Sequence, residues 1–481
     1  MKPVVPTYDD LMRHSRRHFL GKAGFSIGAL ALSNLLGSNA NAASIGSLGA
    51  PHIAPKAKRV IYLFQAGGPS HLETFDFKPL LRTGHGKALP KEIIGNQRLS
   101  TMSGNQSLLP MAGSFIDFSK HGKSGMEISN ILPYTQKIAD EICVIRTMHT
   151  EAINHDPAIT FFCSGNQIPG RPSMGAWASY GLGSLNQNLP SFIVLVSKNA
   201  SRDQPLYSRL WGSGFLPSEH QGVQFRSGKE PVLYLTNPEG VSPHVRRGML
   251  DALGKLNGYQ AEQQLDPEID ARVAQAEMAF RMQTSVPDAT DLSNETEETF
   301  NLYGPDSKTP GTYAANCLLA RRLIERDVRF VQLFHQGWDQ HGDVVGGISR
   351  QCKQTDQASA ALIIDLKRRG LLEDTLVVWG GEFGRTAYCQ GKISTNNYGR
   401  DHHPRCFSIW MAGGGVKAGY THGITDDYGY NIVSDGVHVH DLHATMLHLM
   451  GVEHEKLIFK SQGRYFRLTD VAGNLVKPVI A

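Results

Sequence analysis

Histidine and carboxylate residues recur in short clusters beside apolar runs of the chain. The clusters are FQAGGPSHLETFD, RTMHTEAINHDP, FHQGWDQHGD, WGGEFGR and GRDHHP. Imidazole and carboxylate together are ligands of zinc, manganese or iron, whereas sets of oxygen ligands alone suit calcium or magnesium. One such cluster would be weak evidence, so it is their recurrence that predicts a metal site.

Asp339 and His341 carry the clearest signal for metal binding. Residues two apart in an extended segment present their side chains on one face, and this pair lies between a tryptophan and a glycine. The predicted metal ligands are Asp339, His341, Glu382, Asp401, His402, His403 and His71. The predicted catalytic residues of the same site are His149 and His155.

A structural role is expected for several of the remaining histidines. Capping a helix or bonding a backbone group is the favoured interpretation for His335, His438 and His448. In the segment HDLH, Asp441 is expected to cap the start of a helix, because carboxylates accept the free N–H groups there.

The elements that must position these residues alternate along the chain. Predicted strands are RVIYLFQ, EICVIRTM, LPSFIVLV, VRFVQLFHQ, TLVVWGG and HPRCFSIWMAGG. Predicted helices are HDPAITFFCSG, residues 266–284, NCLLARRLIERD, QASAALIIDLKRRGLLED and VHVHDLHATMLHLMGV. Near-continuous apolar strands separated by helices predict an α/β fold, a mostly parallel central sheet with helices on both faces. Ligands of such sheets gather at the carboxyl ends of the strands, where the clusters lie.

The N-terminus predicts export. Arg16 and Arg17 precede a weakly apolar, Gly/Ala-rich segment, and the small residues Ala40-Asn41-Ala42 follow it. This pattern resembles a twin-arginine signal, and the apolar segment is too short to span a bilayer of roughly 30 Å. We therefore expect a signal over residues 1–42, a linker over 43–57 and one domain over 58–481. Loop-rich insertions are expected near residues 80–130 and 200–240.

Composition narrows the class of protein. The chain has 481 residues, 41% hydrophobic and 19% charged, which suits a globular protein with a large core. A net charge of +4 is small for this length and argues against nucleic acid as the main partner. The six cysteines lack CxxC pairs and regular spacing, so a zinc ribbon or a disulfide framework is not expected. One or two disulfides remain open.

The chain resembles the alkaline phosphatase/sulfatase superfamily near its end. TLVVWGGEFGR, HPRCFSIWMAGGGVKAG and VHVHDLHATMLHLMGV match that superfamily's TLVV-x-x-SDHG strand, PLI-x-x-GPG strand and DL-x-PTLL-x-LAGV helix. More closely, the chain is similar to the bacterial family called domain of unknown function 1501. The shared stretches are the export signal, GGPSHLETFDFKP, CLLARRLIERDVRFVQLFHQGWDQHGD, GGEFGRT and GRDHHP. The resemblance implies an alkaline-phosphatase-like three-layer sandwich.

The same resemblance implies site residues and also departures from the superfamily pattern. Glu382 stands at the position of a metal-binding Asp, and Phe383 at that of a metal-binding His. Asp339 and His341 resemble an Asp-and-His metal pair, and His402 or His403 would be the late His ligand. His155 stands where the nucleophilic Cys or Ser belongs, Ile159 replaces an Arg, and Ala66-Gly67-Gly68 replaces acidic ligands.

These departures shape the expected function. Without a Cys, Ser or Thr at the matching position, the usual covalent route is not expected, although Ser70 or Thr150 stays open as a displaced nucleophile. We expect an exported, periplasmic or extracellular hydrolase of sulfate or phosphate esters, small or glycan-linked, that activates water at a zinc, manganese or calcium site. The alternatives are a non-catalytic glycan- or protein-binding member of the fold and a metal-dependent isomerase or phosphomutase.

Overall fold

A central sheet organises the protein, which is described here as a computed structural model. The structure describes residues 46–197, 204–228, 230–233, 235–264, 267–394 and 397–481. The strands are β1 (Arg59–Gln65), β2 (Phe118–His121), β3 (Met126–Ser129), β4 (Ile142–His149), β5 (Phe192–Val196), β6 (Val223–Phe225), β7 (Phe330–His335), β8 (Thr375–Gly380), β9 (Gly384–Gln390), β10 (Gly399–His403), β11 (Phe407–Ala412), β12 (Tyr420–His422), β13 (Ile424–Thr425), β14 (Ile432–Ser434), β15 (Val437–His438), β16 (Phe459–Ser461) and β17 (Arg464–Phe466). Nine of them form the central sheet, in the order β12-β4-β11-β8-β1-β7-β5-β6, with β15 also paired to β4.

Most of the pairings in this sheet are parallel. β1 runs parallel to β7 and β8, and β5 runs parallel to β7 and β6. β12 and β15 run parallel to β4, whereas β11 runs antiparallel to both β4 and β8. A near-continuous apolar strand such as RVIYLFQ suits the centre of a parallel sheet, because both of its faces are buried.

Helices cover both faces of the sheet. They are α1 (His71–Thr74), α2 (Pro79–Thr83), α3 (Lys91–Ile94), α4 (His155–Ser164), α5 (Met174–Leu182), α6 (Pro243–Gln264), α7 (Pro267–Thr290), α8 (Glu297–Tyr303), α9 (Tyr313–Glu325), α10 (Val344–Arg368) and α11 (Val439–Leu449). Ile61 and Leu63 of β1 join a core with α9 and α10, while Tyr62 and Phe64 join a second core with α4, α5 and α11. This alternation confirms the predicted α/β sandwich with a mostly parallel sheet.

Three local features differ from the sequence expectations. The chain after β8 forms a hairpin of β9 and β10, which the sequence analysis did not predict, because GRTAYCQ and GRDHH lack the continuous apolar run of the central strands. β6 adds an edge strand from within the loop-rich segment near residues 200–240. α6 is a long helix that the sequence analysis did not predict, since its apolar residues are sparse.

The strand register fixes one edge of the sheet as the place for a site. Gln65 at the end of β1 pairs with His335 at the end of β7, and Phe64 pairs with Gly380 at the end of β8. Because β11 runs the other way, its first residue Phe407 pairs with Met148 near the end of β4. The segments that leave β7, β8 and β4, and the segment that enters β11, therefore meet at one edge.

Three further features concern the chain as a whole. No helix in the described ranges is both long and apolar enough to cross a membrane. All six cysteines are free and buried, so the disulfides left open by the sequence do not form among them. Residues Ser44–Ala481 form one compact unit. The predicted export signal lies outside the described residues.

Candidate metal centre

Four side chains converge at the edge of the sheet described above. His155 begins α4, Asp339 and His341 follow β7, and His402 belongs to β10. Each offers one ligand atom, and these atoms all lie within 4.8 Å of one another. We call these four residues the His155 group.

Asp339 lies at the centre of the His155 group. Its Oδ1 lies 2.8 Å from His341 Nε2 and 3.3 Å from His402 Nε2, and its Oδ2 lies 3.1 Å from His155 Nε2. The two imidazole nitrogens, His341 Nε2 and His402 Nε2, are 3.0 Å apart. Three atoms from three residues thus crowd around one point.

The outer hydrogen bonds of His341 and His402 decide which ring nitrogen carries the proton. His341 Nδ1 faces the side-chain oxygen of Gln390, and His402 Nδ1 lies 2.8 Å from the backbone oxygen of Ile153. Both partners only accept, so in the neutral ring Nδ1 donates and Nε2 keeps its lone pair. Two lone pairs 3.0 Å apart, both beside a carboxylate oxygen, repel one another unless a cation or an added proton lies between them.

His155 is held between two carboxylates. Its Nδ1 lies 2.6 Å from Glu382 Oε1, while its Nε2 faces Asp339 without making a hydrogen bond. Burial alone would lower the pKa of His155, but the neighbouring carboxylates of Asp339 and Glu382 raise it to about 9. A histidine whose outer nitrogen donates to a carboxylate is the usual arrangement of a metal-bound imidazole.

Glu382 is therefore placed behind His155 rather than among the atoms that converge. It is fully buried, and besides His155 it accepts the backbone N–H of Gly67, with N–O distances of 2.9 and 3.2 Å. Gly67 has φ +118°, and a Cβ there would lie 2.7 Å from the backbone nitrogen of Asp339. Only glycine permits this close packing of β1's exit loop against the site.

Arg385 supplies a buried positive charge to the same site. Its Nη2 donates to Asp339 Oδ1 at 2.6 Å, and its Nε donates to the backbone oxygen of Gly68 at 2.9 Å. Burial would raise the pKa of Asp339, but the surrounding imidazoles of His155, His341 and His402 and the guanidinium of Arg385 hold that pKa well below its usual range. Asp339 therefore stays ionised.

Phe383 packs against the rings of the site instead of binding there. Its ring centroid lies 5.0 Å from that of His155 and 4.5 Å from that of His402. Phe383 is completely buried with Ala152 and Ala158. It forms an apolar wall that fixes the two imidazoles, and burial lowers the pKa of His402 to about 4.

The His155 group fits a divalent metal ion. Ligand atoms at about 2.0–2.2 Å from a tetrahedral ion lie roughly 3.3–3.6 Å apart. The separations of 2.8–3.3 Å found here are slightly tighter, so small side-chain shifts would accommodate an ion. The Nε2 atom of His155 is buried without a hydrogen-bond partner, which also suits a ligand.

A second group of ligand-type side chains lies apart from the first. His71, Asp76 and Cys406, which we call the His71 group, also offer ligand atoms within 4.8 Å of one another. All three are buried. Asp76 pairs with Lys78 Nζ at 3.0 Å and accepts the hydroxyl of Thr425 at 2.6 Å, so both of its oxygens are occupied. His71 Nε2 lies 2.9 Å from the backbone oxygen of Gly429, and its Nδ1 has no partner.

The other predicted site residues lie outside the His155 group. Asp401 accepts from the hydroxyls of Ser100 and Ser103. His403 bonds the backbone oxygen of Tyr430 at 2.7 Å, stacks on that ring, and has its pKa lowered to about 3 by burial. His149 lies beside His438, with ring centroids 5.1 Å apart, and lines a neighbouring cavity.

The two open candidates for a nucleophile also differ. Ser70 is buried and donates to Glu73, which in turn accepts from Arg400 at 2.6 Å. Thr150 lies at the same cavity as His149. Ser70 is therefore buried and bound within an ion-pair network.

The structure thus brings together His155, Asp339, His341 and His402. Glu382 is linked to this group by its hydrogen bond with His155. The sequence analysis missed Arg385 and Gln390, which orient the ligands. Arg385 lies in the segment GGEFGRT, three residues after the predicted metal ligand Glu382. An arginine so close to a predicted ligand could have indicated a role in the site. Nothing in the sequence pointed to Gln390.

A family model described as "Protein of unknown function (DUF1501)" matches residues 57–480. No curated protein matches this chain significantly.

Several solved structures resemble the chain weakly. The PsFucS1 sulfatase from Pseudoalteromonas sp. is 14% identical over 85% of this chain and 69% of its own, with a TM-score of 0.35. The alkaline phosphatase from the Antarctic bacterium TAB5 is 11% identical over 82% and 98%, with a TM-score of 0.32. The lipoteichoic acid synthase LtaP from Listeria monocytogenes is 10% identical over 86% and 76%, with a TM-score of 0.34. Similarity at this level does not assign a function.

Proposed function

This chain belongs to the family of proteins of unknown function DUF1501, and we propose that this member is a metal-dependent hydrolase of sulfate or phosphate esters. The observation that carries the proposal is the meeting of His341 Nε2, His402 Nε2 and Asp339 Oδ1, with the outer nitrogens of both rings turned to oxygen acceptors. Such a site is oriented to hold a cation. The site lies at the carboxyl ends of β7 and β8, where open α/β sheets bind their ligands.

The donor atoms favour zinc or manganese over calcium. Three of the four residues in the His155 group offer imidazole nitrogen. Calcium takes six to eight oxygen ligands, whereas zinc and manganese accept mixed nitrogen and carboxylate sets. When bound, such a metal lowers the pKa of a coordinated water towards neutrality.

The protein's own residues prepare this site for an anionic ester. Glu382 holds the His155 ring so that Nε2 faces inward. Arg385 keeps Asp339 in place and adds a positive charge close to the reacting ester. Phe383 excludes water from one side of His155 and His402. With Ser70 engaged by Glu73, water is the nucleophile that the site favours.

Metal content and activity on simple esters test the proposal together. The purified protein should contain roughly one zinc or manganese ion per chain. It should hydrolyse an aryl sulfate or an aryl phosphate, lose that activity with a chelator and regain it with the metal. A protein that binds neither ion and hydrolyses neither ester when metal is added would refute the proposal. A retained metal without activity would favour the alternative of a non-catalytic binding protein.

We further propose that the chain acts in the periplasm or outside the cell. The pair Arg16 and Arg17 before a weakly apolar segment supports export of the folded protein. Cell fractionation tests this. A variant with both Arg16→Lys and Arg17→Lys that still reaches the periplasm would contradict export by the twin-arginine route.

A further inference from the structure

A cavity of about 590 Å³ opens beside the metal centre. Its walls include Arg98, His149, Thr150, Glu151 and Arg405. None of the four residues of the His155 group lines it.

The cavity and the metal centre share the same two chain segments. Ile153 lines the cavity, while its backbone oxygen holds His402 Nδ1 at 2.8 Å, and His155 follows two residues later. Arg405 lines the cavity three residues after His402. Three residues span at most about 11 Å, so a group in the cavity and a group at the metal centre can belong to one small molecule.

The charges that face the cavity are unbalanced. Arg98 and Arg405 are exposed there, and neither makes an ion pair with a described residue. The acidic group on the wall, Glu151, is already occupied because it lies 2.8 Å from His438 Nε2. Burial lowers the pKa of His149, so this ring is neutral near pH 7.

Two free guanidinium groups favour an anionic ligand. Their planar N–H pairs bind sulfate, phosphate and carboxylate oxygens, often with two hydrogen bonds per group. Carboxylates and tetrahedral oxyanions therefore fit this wall, whereas a cationic or apolar group does not.

We propose that this cavity binds a second anionic group of the substrate, a sulfate, phosphate or carboxylate, while the ester to be hydrolysed meets the metal centre. The preferred substrate is then an ester that carries at least two negative groups, such as a multiply sulfated or phosphorylated sugar. The identification of this ligand as part of the substrate rests on the proposed function. The presence of an anion site does not.

Calorimetry with inorganic sulfate and phosphate tests the anion site directly. The full chain is first stripped of metal with a chelator, so that binding at the metal centre does not contribute. Arg405→Ala and Arg98→Ala should each weaken anion binding by about tenfold, the loss expected for one charge-assisted contact. Arg226→Ala, another exposed arginine that does not line the cavity, should leave it unchanged.

Two results would overturn the anion site. One is that sulfate and phosphate do not bind to the metal-free protein. The other is that they bind it equally well when either cavity arginine is removed.

Substrate kinetics test the second step. With a disulfated disaccharide, Arg405→Ala should raise KM about tenfold and leave kcat nearly unchanged, and with a monosulfated one it should change neither. An equal effect on both substrates would refute the proposal that the cavity binds a second anionic group of the substrate. Failure of the hydrolase proposal gives another result. In that case the wild type binds no metal or hydrolyses no ester, while its anion binding still depends on Arg405.

Discussion

The His155 group and the His71 group are built from the same residue types in different surroundings. Both combine imidazole with a carboxylate, and both bring ligand atoms within 4.8 Å of one another. In the His155 group the carboxylate faces three imidazole nitrogens as well as Arg385, and each imidazole is oriented by an acceptor behind its ring. In the His71 group the carboxylate already has a lysine and a hydroxyl.

Exposure separates the two groups further. The side chains of Asp339 and His341 are 16% and 25% exposed, whereas His71, Asp76 and Cys406 are all 1% exposed or less. An ion entering the His71 group would have to shed its water, displace Lys78 from Asp76 and deprotonate a thiol whose pKa burial raises well above its ordinary value. Proximity of ligand types therefore does not make a metal site. What decides is whether several imidazole nitrogens keep lone pairs aimed at one carboxylate oxygen, as those of His341 and His402 do and the single imidazole of the His71 group does not.

Removing one residue from each group should give the largest difference in metal binding. His402→Ala should abolish stoichiometric metal binding, while Cys406→Ser should leave the metal content of the wild type. If four ligands share a binding free energy of roughly 10–16 kcal/mol, losing one weakens binding by about 3 kcal/mol, on the order of 10²–10³-fold. Elemental analysis of both variants after gel filtration gives the answer. Loss of metal from Cys406→Ser with retention in His402→Ala would reverse the assignment of the two groups.

Lys78→Met tests whether the carboxylate of the His71 group depends on its lysine partner. The variant leaves the buried Asp76 without its counter-charge, which should cost about 3 kcal/mol in the free energy of unfolding. This is the low end for a buried pair, because the Lys78 side chain is 12% exposed. Urea unfolding measures the loss.

A matched surface pair provides the control for that measurement. Arg350→Met removes an exposed partner of Asp343 and should change stability by less than about 1 kcal/mol. Equal losses in the two variants would mean that the ion pair of Lys78 and Asp76 stabilises the fold no more than an exposed pair does.

The sequence could predict the frame of the fold and part of the site. Apolar strands and amphipathic helices are local patterns, and β1, β7 and β8 follow from them. The spacing of Asp339 and His341 likewise places both on one face of an extended segment. These two residues do lie together in the His155 group.

The remaining site residues depend on tertiary structure. Asp401, His402 and His403 lie in β10, whose pairing with β9 is irregular between Arg400 and His402. Their side chains have different partners: Asp401 accepts from two serine hydroxyls, His403 bonds the backbone oxygen of Tyr430, and only His402 reaches Asp339. Without knowing these partners, the sequence could not choose among the three. In the same way, the path that the chain takes out of β8 places Glu382 against Nδ1 of His155 and not among the converging ligand atoms.

Glu382→Gln sharpens the comparison with a smaller effect. The amide keeps the size of Glu382 but removes the negative charge that fixes the His155 ring, so metal affinity should fall about 10–100-fold. Competition against a chromophoric chelator measures the affinity. Glu297→Gln, which alters an exposed pair with Lys308, should leave it unchanged. An unaltered affinity in Glu382→Gln would mean that the carboxylate serves the fold alone.

The pH dependence of stability tests the buried His403, which lies outside the His155 group, and it is the smallest effect expected. Burial lowers the pKa of His403 to about 3, while an unfolded histidine titrates near 6.5. Below about pH 6.5 the unfolded chain therefore takes up a proton that native His403 does not. The stabilising effect of keeping His403 neutral is present above that pH and is lost as the pH falls towards 3.

His403→Gln should flatten this dependence. The drop in the free energy of unfolding between pH 7.5 and 5.5 should be about 1.4 kcal/mol smaller in the variant than in the wild type, both measured with a chelator present. His443→Gln gives a parallel case, because burial lowers the pKa of His443 to about 3 as well. If both variants keep the wild-type slope, these histidines take up a proton over the same pH range in the native and unfolded chains, and burial does not keep His403 neutral against Tyr430.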